Sequence, residues 1–344
     1  LDSSCRLARR LPTQQLELLP SMKPECLSSA PIENLVRRSK LAKTLRDFFQ
    51  ELGFVEVHTP ILSRYCVIDR HLDPIRVSGR CVGIGGDQDW YLQTSPEQSM
   101  KRLLASGLGS CYQLGSVFRS SEFGQFHNPE FTMAEWYDVS ADLSGGLNLL
   151  DNLLMALLGT PSAERMRFES AFKQATELEL FECDAETLGR WAVDRRLVDR
   201  SDWASDWDDW VNLIFSHVVQ PSLGQKRPVL VTHFPASQAA LAKLDPQDPR
   251  TAERYEAFYL GVELANGYHE LCDPDELARR AAIANEQRIA DGKFALPLES
   301  PLVDAMRYGI PSSCGCALGF DRVVMLACGA KSLSEVIPFT APRA

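Results

Sequence analysis

Several features that mark large protein classes are missing from this sequence. No apolar run reaches the ~20 residues that a bilayer-spanning helix needs, and no charged n-region with an apolar h-region opens the chain. A membrane partner and a secretory route are therefore not expected. Positive charge is also in short supply: 36 Lys and Arg against 46 Asp and Glu give a formal net charge of −10. That sign is opposite to the footprint of a protein that grips a phosphate backbone, so tRNA is not expected as a partner. The ten cysteines include no CxxC pair, and Cys314 and Cys316, one residue apart with no second pair, do not read as structural zinc. Reduced, mostly buried thiols and a cytoplasmic location follow. Also absent are GxxxxGK[ST], a GxGxxG opening a helix, HExxH and GxSxG. A nucleotide enzyme with this sequence must use another fold. No internal repeat or low-complexity tract is found.

What is present suits a globular chain: 45% hydrophobic and 24% charged residues in 344 suggest one large domain or two. Residues 1–31 are interrupted by Pro12, Pro20, Pro24 and Pro31, which predicts a weakly structured extension. It is too short for the five-stranded barrel of many tRNA-binding enzymes. Ile32 to Leu52 carries helical spacing with Gly53 as a stop, and Phe54 to Leu62 alternates as a strand ending near Pro60. Such a helix and strand suit a dimer interface and a core equally well. Ile75 to Leu92 reads as β-structure with a turn at Gly85 and Gly86. In Thr94 to Gly107, Ser95 caps a helix, Pro96 opens it, and Glu97 is either a helix-start charge or a partner for a substrate ammonium. Helices are expected at Leu143 to Leu158, Ser170 to Leu180 and 273–293. Trp203, Trp207 and Trp210 read as one packing face. Val229 to Ala242 reads as strand, loop and short helix, Gly261 to Leu271 as a buried strand, and Gly309 to Gly329 as a strand running into a helix. This order predicts an α+β fold, an antiparallel sheet flanked by helices.

The stretch Phe118 to Tyr137, FRSSEFGQFHNPEFTMAEWY, reads as a long hairpin holding Arg119, a His127-Asn128 pair and two acids. A planar guanidinium matches phosphate oxygens bidentately, which suits a bound triphosphate. Glu263 and Glu270 lie seven residues apart, an odd spacing that puts them on opposite faces of a regular strand. A bulge at Gly267 would let them converge on Mg²⁺; without one they are two surface acids. Arg322, in the GFDR that ends a glycine-rich strand, is either a second phosphate-directed cation or half of a local ion pair.

Read as a set, these stretches resemble the catalytic domain of class II aminoacyl-tRNA synthetases of the lysyl type, over residues 32–344. Phe54 to Leu62 with its helix resembles motif one, FRSSEFGQFHNPEFTMAEWY motif two and GCALGFDRVVML motif three, while TSPE and ELANGYHEL resemble lysyl-specific segments. The resemblance narrows to the elongation factor P lysyltransferases, or beta-lysine ligases, truncated lysyl-tRNA synthetase paralogues without an anticodon-binding domain. HFPASQAALA and GVELANGYHEL are near-verbatim for that subgroup. The resemblance implies ATP and Mg²⁺ as cofactors, lysine or β-lysine as the activated substrate, elongation factor P as the acceptor, and a homodimer. It implies that Arg119 holds the α-phosphate and that Arg322 reaches the γ-phosphate and stacks on adenine opposite Phe131, these two arginines being catalytic. Ser120, Ser121, Asn128, Glu263, Leu264 and Gly319 complete the ATP site, with Glu263 and Glu270 on the metal. Ser95, Pro96, Glu97, Glu135, Tyr137, Asn266, Tyr268, Glu270 and Ala317 line the amino-acid pocket. Two departures stand out: Ser120-Ser121 replaces the usual Asn-Glu of motif two, and Ala317 replaces a glycine of lysyl-tRNA synthetases. The competing expectations are a minimal lysyl-tRNA synthetase, a ligase for another small amine, and a catalytically silent binding module.

Overall fold

The computed structural model describes residues 26–344 apart from 84, 85, 87, 201–203 and 205. Most of the expected N-terminal extension, Gly85 of the expected turn and Trp203 of the tryptophan stripe lie outside the described residues. Helix α1 (Ile32–Glu51) leads into β1 (Val55–Glu56), β2 (Leu62–Ser63), β3 (Arg76–Ser78), the single turn α2 (Gly79–Val82) and β4 (Asp89–Leu92). Then come α3 (Glu97–Ala105), the hairpin β5 (Cys111–Phe118) and β6 (Glu130–Val139), and α4 (Leu143–Leu158). A second group follows: β7 (Glu164–Arg167), α5 (Phe168–Thr176), α6 (Ala185–Asp194) and α7 (Trp207–Ile214). The chain closes with β8 (Val229–Pro235), β9 (Thr251–Tyr259), β10 (Val262–His269), α8 (Pro274–Ala290), α9 (Pro301–Tyr308), β11 (Ser313–Gly319) and α10 (Phe320–Ala327).

Eight strands form one sheet in the order β1-β5-β6-β11-β10-β9-β8-β7, antiparallel except for the parallel pairs β1/β5 and β7/β8 at its two ends. The expected α+β architecture is borne out. Helices α1, α4 and α10 cover one face. Helix α4 starts where Asp142 accepts from the Gly145 amide and stops at Gly159, whose φ of 68° an L-residue rarely adopts. Between those ends Leu147, Leu150, Leu154 and Leu157 form a stripe that meets Leu41, Leu45 and Phe49 of α1 in one core. A second core joins Phe168 and Phe172 of α5, Trp210 of α7, Phe215 and Phe234. No helix among the described residues is long and apolar enough to cross a membrane, and the described cysteines are all free.

Two local expectations need correcting. Phe54 to Leu62 is not one strand: β1 pairs with β5 for two residues, and then the Thr59 amide turns to the Gln113 side chain at 2.8 Å, before Pro60. Ile75 to Leu92 holds the turn α2 between its strands because Gly79 packs its α-carbon against the Gln88 carbonyl, where a Cβ would lie 2.2 Å away.

Candidate active site

The face of the sheet away from α1, α4 and α10 floors a cavity of about 1370 Å³. Strand alternation decides which residues it receives. On β6, Ala134 and Trp136 enter the core while Met133, Glu135 and Tyr137 face the cavity. On β11 the cavity side is Gly315, Ala317 and Gly319. Cross-strand register then lines these residues up in rungs: Glu135, Ala317, Asn266 and Glu256 form one, and Tyr137, Gly315, Tyr268 and Arg254 the next.

Strand β10 joins the floor through a bulge. Glu263 pairs with Phe258 and Ala265 with Ala257, so Leu264 is the extra residue. Leu264 and Ala265 both enter the core, and Glu263, Asn266, Tyr268 and Glu270 all line the cavity. The expected shift of face is real, but it lies at Leu264 and not at Gly267. Gly267 sits in regular register, where a Cβ would come 2.3 Å from the Tyr255 ring.

At one end of the floor three acids are buried together: Glu97, Glu135 and Glu270. Ser95 Oγ donates to Glu135 Oε2 and the Tyr137 hydroxyl to Oε1, both at 2.6 Å. Ser95 also accepts the Glu97 amide at 3.1 Å, but the helix begins at Glu97 with Pro96 in the cap position, so the expected cap at Ser95 and helix start at Pro96 each lie one residue too early. Lys101 Nζ meets Glu97 and Glu270, each at 2.5 Å. Burial, followed by the charge of Glu97, pushes the Glu135 carboxyl up to about 8. Burial raises Glu270 to about 7 against the opposing pull of Lys101. Three carboxylates and one ammonium leave two negative charges in excess when all are ionised.

At the other end the walls are cationic and aromatic. The Arg119 guanidinium lies 5.1 Å from the Phe131 ring centre, 3.8 Å from the Glu122 carboxylate, and its Nε is buried without a hydrogen-bond partner. Arg322, in the first turn of α10, donates to the carbonyls of Phe126 (3.2 Å) and Glu263 (3.0 Å) and lies 2.8 Å from His127 Nε2. Burial first, then Arg322, lowers the His127 pKa. On β9, Glu256 is buried and reaches about 7, chiefly by desolvation; Arg254 opposes the rise and Glu263 adds to it. Arg254 donates to Glu256 at 2.5 Å and to Asn266 at 3.3 Å.

The family model described as tRNA synthetases class II (D, K and N) matches residues 26–343. The chain belongs to the class II tRNA synthetase family. Among curated relatives of this synthetase-like chain, the elongation factor P (R)-beta-lysine ligase of Edwardsiella ictaluri is 43% identical over 316 residues, 92% of this chain and 97% of the relative. The protein of that name from Klebsiella pneumoniae subsp. pneumoniae is 44% identical over 318 residues, with the same coverages.

Of the residues that the synthetase resemblance assigned, the cavity wall contains Ser95, Glu97, Arg119, Asn128, Phe131, Glu135, Tyr137, Glu263, Leu264, Asn266, Tyr268, Glu270, Ala317, Gly319 and Arg322. Pro96, Ser120 and Ser121 are not on it. Ser120 donates its amide to the Asp73 carbonyl at 2.7 Å, and Ser121 turns the chain with a φ of 64°, which brings Glu122 to the wall. Asn128 braces the loop, donating to the Glu130 carbonyl at 2.6 Å and accepting the Ala341 amide at 2.9 Å. The guanidinium over Phe131 is that of Arg119, while Arg322 is turned to His127 and Glu263. Glu263 and Glu270 do not form one metal site: they stand near opposite ends of β10, roughly 20 Å apart at ~3.3 Å per residue. The acid that senses Glu263 is Glu256, which the sequence reading missed along with Arg254 and Lys101. Its signal was available in TAERYEAFY, where Arg254 and Glu256 occupy alternate positions of an otherwise apolar strand.

Proposed function

We propose that this chain is an ATP-dependent ligase that activates lysine or β-lysine as an adenylate and transfers it to a lysine side chain of elongation factor P. The observation that carries the reading is the buried acidic end of the floor, whose two excess negative charges match the two ammonium groups of a diamino acid. The names of the relatives supply the acceptor protein. In the first half-reaction an oxygen of the amino-acid carboxylate attacks the α-phosphorus of ATP, the α–β anhydride bond breaks and pyrophosphate leaves. In the second, the acceptor ε-amine attacks the adenylate carbonyl, AMP leaves and the amine gives up a proton. Arg119, with an unpaired buried N–H, neutralises the α-phosphate, and the Phe131 ring offers its face to adenine. Arg322 takes the terminal phosphates once it turns from His127.

Glu256, buried and raised to about 7 chiefly by desolvation and in part by the charge of Glu263, faces the cavity with Glu263, and such a pair of carboxylates suits Mg²⁺ shared with phosphate oxygens and water. Glu256 and Glu263 would hold it, and when bound it supplies charge neutralisation at the phosphates. Catalysis is then positioning and preorganised charge, without a covalent enzyme intermediate. Residues 32–344 act as one catalytic unit in the cytoplasm, with no anticodon-binding domain among them.

The test is ATP–pyrophosphate exchange with both lysine isomers, followed by mass measurement of elongation factor P after incubation with the enzyme. Exchange and a mass gain of one lysyl group are expected; charging of tRNA with an unmodified factor would instead make the chain a minimal lysyl-tRNA synthetase. Arg119→Ala removes the α-phosphate partner and is expected to lower exchange by at least about a hundredfold. Wild-type exchange in that variant would sink the assignment.

A further inference from the structure

Lys101 is an uncommon residue for the place it occupies. Its side chain is 3% exposed and projects from α3 into the acidic end of the floor. Nζ bridges Glu97 Oε1 on its own helix and Glu270 Oε2 at the end of β10, and it lies 5.7 Å from the centre of the Tyr137 ring. Glu135, held by Ser95 and Tyr137, is the third acid whose field it meets. A buried ammonium of this kind costs several kcal/mol to desolvate, and its ion pairs offset that cost only in good geometry. For stability alone an apolar residue would serve, and Glu97 and Glu270 would not need to be charged. The arrangement is explained if the two acids must be carboxylates for a ligand and must be kept apart until it arrives.

We propose that Lys101 is a positioning residue, an internal ammonium that bridges Glu97 and Glu270, favours the carboxylate form of Glu270 and sets the charge of the pocket to that of a doubly charged amino acid. The proposal rests on the amino-acid reading above. Lys101 takes one oxygen each of Glu97 and Glu270, Ser95 and Tyr137 orient the two oxygens of Glu135, and the three acids so held line the cavity where the substrate's ammonium groups would enter. Gly315 makes this possible: a Cβ there would lie 2.2 Å from Glu270 Oε1. Lys101 touches protein groups only, so its effect on the reaction passes through the two carboxylates.

Lys101→Met, similar in length and uncharged, tests the proposal by pyrophosphate exchange between about pH 6 and 9. Near neutral pH the lysine KM is expected to rise about tenfold, the equivalent of one pKa unit, while kcat at saturating lysine changes less than about threefold. The pH at which KM levels off moves up by about one unit, because the stranded acids hold a proton longer. In Lys101→Ala, n-propylammonium, which carries the atoms removed, lowers KM, and n-propanol does not. A KM–pH profile that superimposes on wild type, or equal rescue by the alcohol, overturns the proposal and leaves Lys101 as filling.

If neither variant folds, calorimetry of lysine binding to wild type in buffers of different ionisation enthalpy counts the protons released. At about pH 7.5, where Glu270 is already mostly ionised, about one, chiefly from Glu135, is expected. About two would mean that Lys101 does not keep Glu270 ionised, and the proposal fails. Silence of wild type towards both lysine isomers in every assay overturns the amino-acid reading instead.

Discussion

Burial sets the charge of the floor before any ligand arrives. Glu135 binds its proton more tightly in the folded chain than in the unfolded one, rising from 4.5 to about 8 through desolvation and then Glu97, with Ser95, Tyr137 and Lys101 pulling the other way. Its contribution to stability is therefore full below about pH 4.5 and is lost as the pH rises through about 8. Binding of a diammonium ligand runs in the opposite sense, since only the carboxylate attracts it. Thermal unfolding with and without lysine is expected to show a larger lysine-induced rise in Tm above pH 8 than at pH 6.5, roughly the window set by this shift. Glu135→Gln is expected to flatten the difference. At this scale the acids were legible in the sequence because a carboxylate inside an apolar run, as in FTMAEWY, has to have a reason to be there. Lys101 was not, since a lysine four residues after a glutamate is the ordinary pattern of a solvated helix face. Only the return of Glu270 from β10 makes it a buried bridge.

Elements place these groups through register. The hairpin of β5 and β6 pairs from Cys111 with Tyr137 to Phe118 with Glu130 without a break, and its alternation made it readable from the sequence. Helix α4 was readable to the residue because a capping aspartate and a terminal glycine bracket its leucine stripe. The bulge in β10 was anticipated but assigned to Gly267, the residue with the freer backbone, whereas the extra residue is Leu264. Glycine at 267 answers to the Tyr255 ring pressed against it, a contact from β9 that no local pattern announces. The fragmentation of Phe54 to Leu62 has the same origin, since the Thr59 amide is satisfied by a side chain from β5. Close strand contact also gives a test. Gly315→Ala would drive its methyl into Glu270 and, at 2.5 Å, into the Tyr137 ring. The variant is expected to lose about 1–3 kcal/mol in chemical denaturation. It is also expected to raise the lysine KM, with the ATP KM unchanged; a variant as stable and as active as wild type would refute the tight floor.

At the scale of the molecule, α1, α4 and α10 cover one face of the eight-stranded sheet, and the other is shared by the cavity and the second core of α5 and α7. One group of exposed apolar residues lies early in the chain: Ile32, Val36, Leu52 and Val55 are between 44% and 67% exposed, on α1, its C-terminal cap and the adjoining edge strand β1. We propose that this surface joins two copies. Sedimentation equilibrium is expected to give twice the chain mass, and Val36→Glu to shift the population to monomer; a monomeric wild type at micromolar concentration would exclude the dimer. The overall α+β class was legible from the order of helical and alternating segments. The parallel strands at the two ends were legible only in part: β1 was read as a longer strand than it is, and the four residues of β7 left no periodic signal. That brevity has a bearing on solubility. A sheet of eight strands offers its outer backbone to any passing chain, and long bare margins are where β-proteins join one another and precipitate. Here one margin is two residues long and the other four, so a stray strand finds almost nothing to extend. The refolding chain is protected from clumping by the shortness of these two stubs.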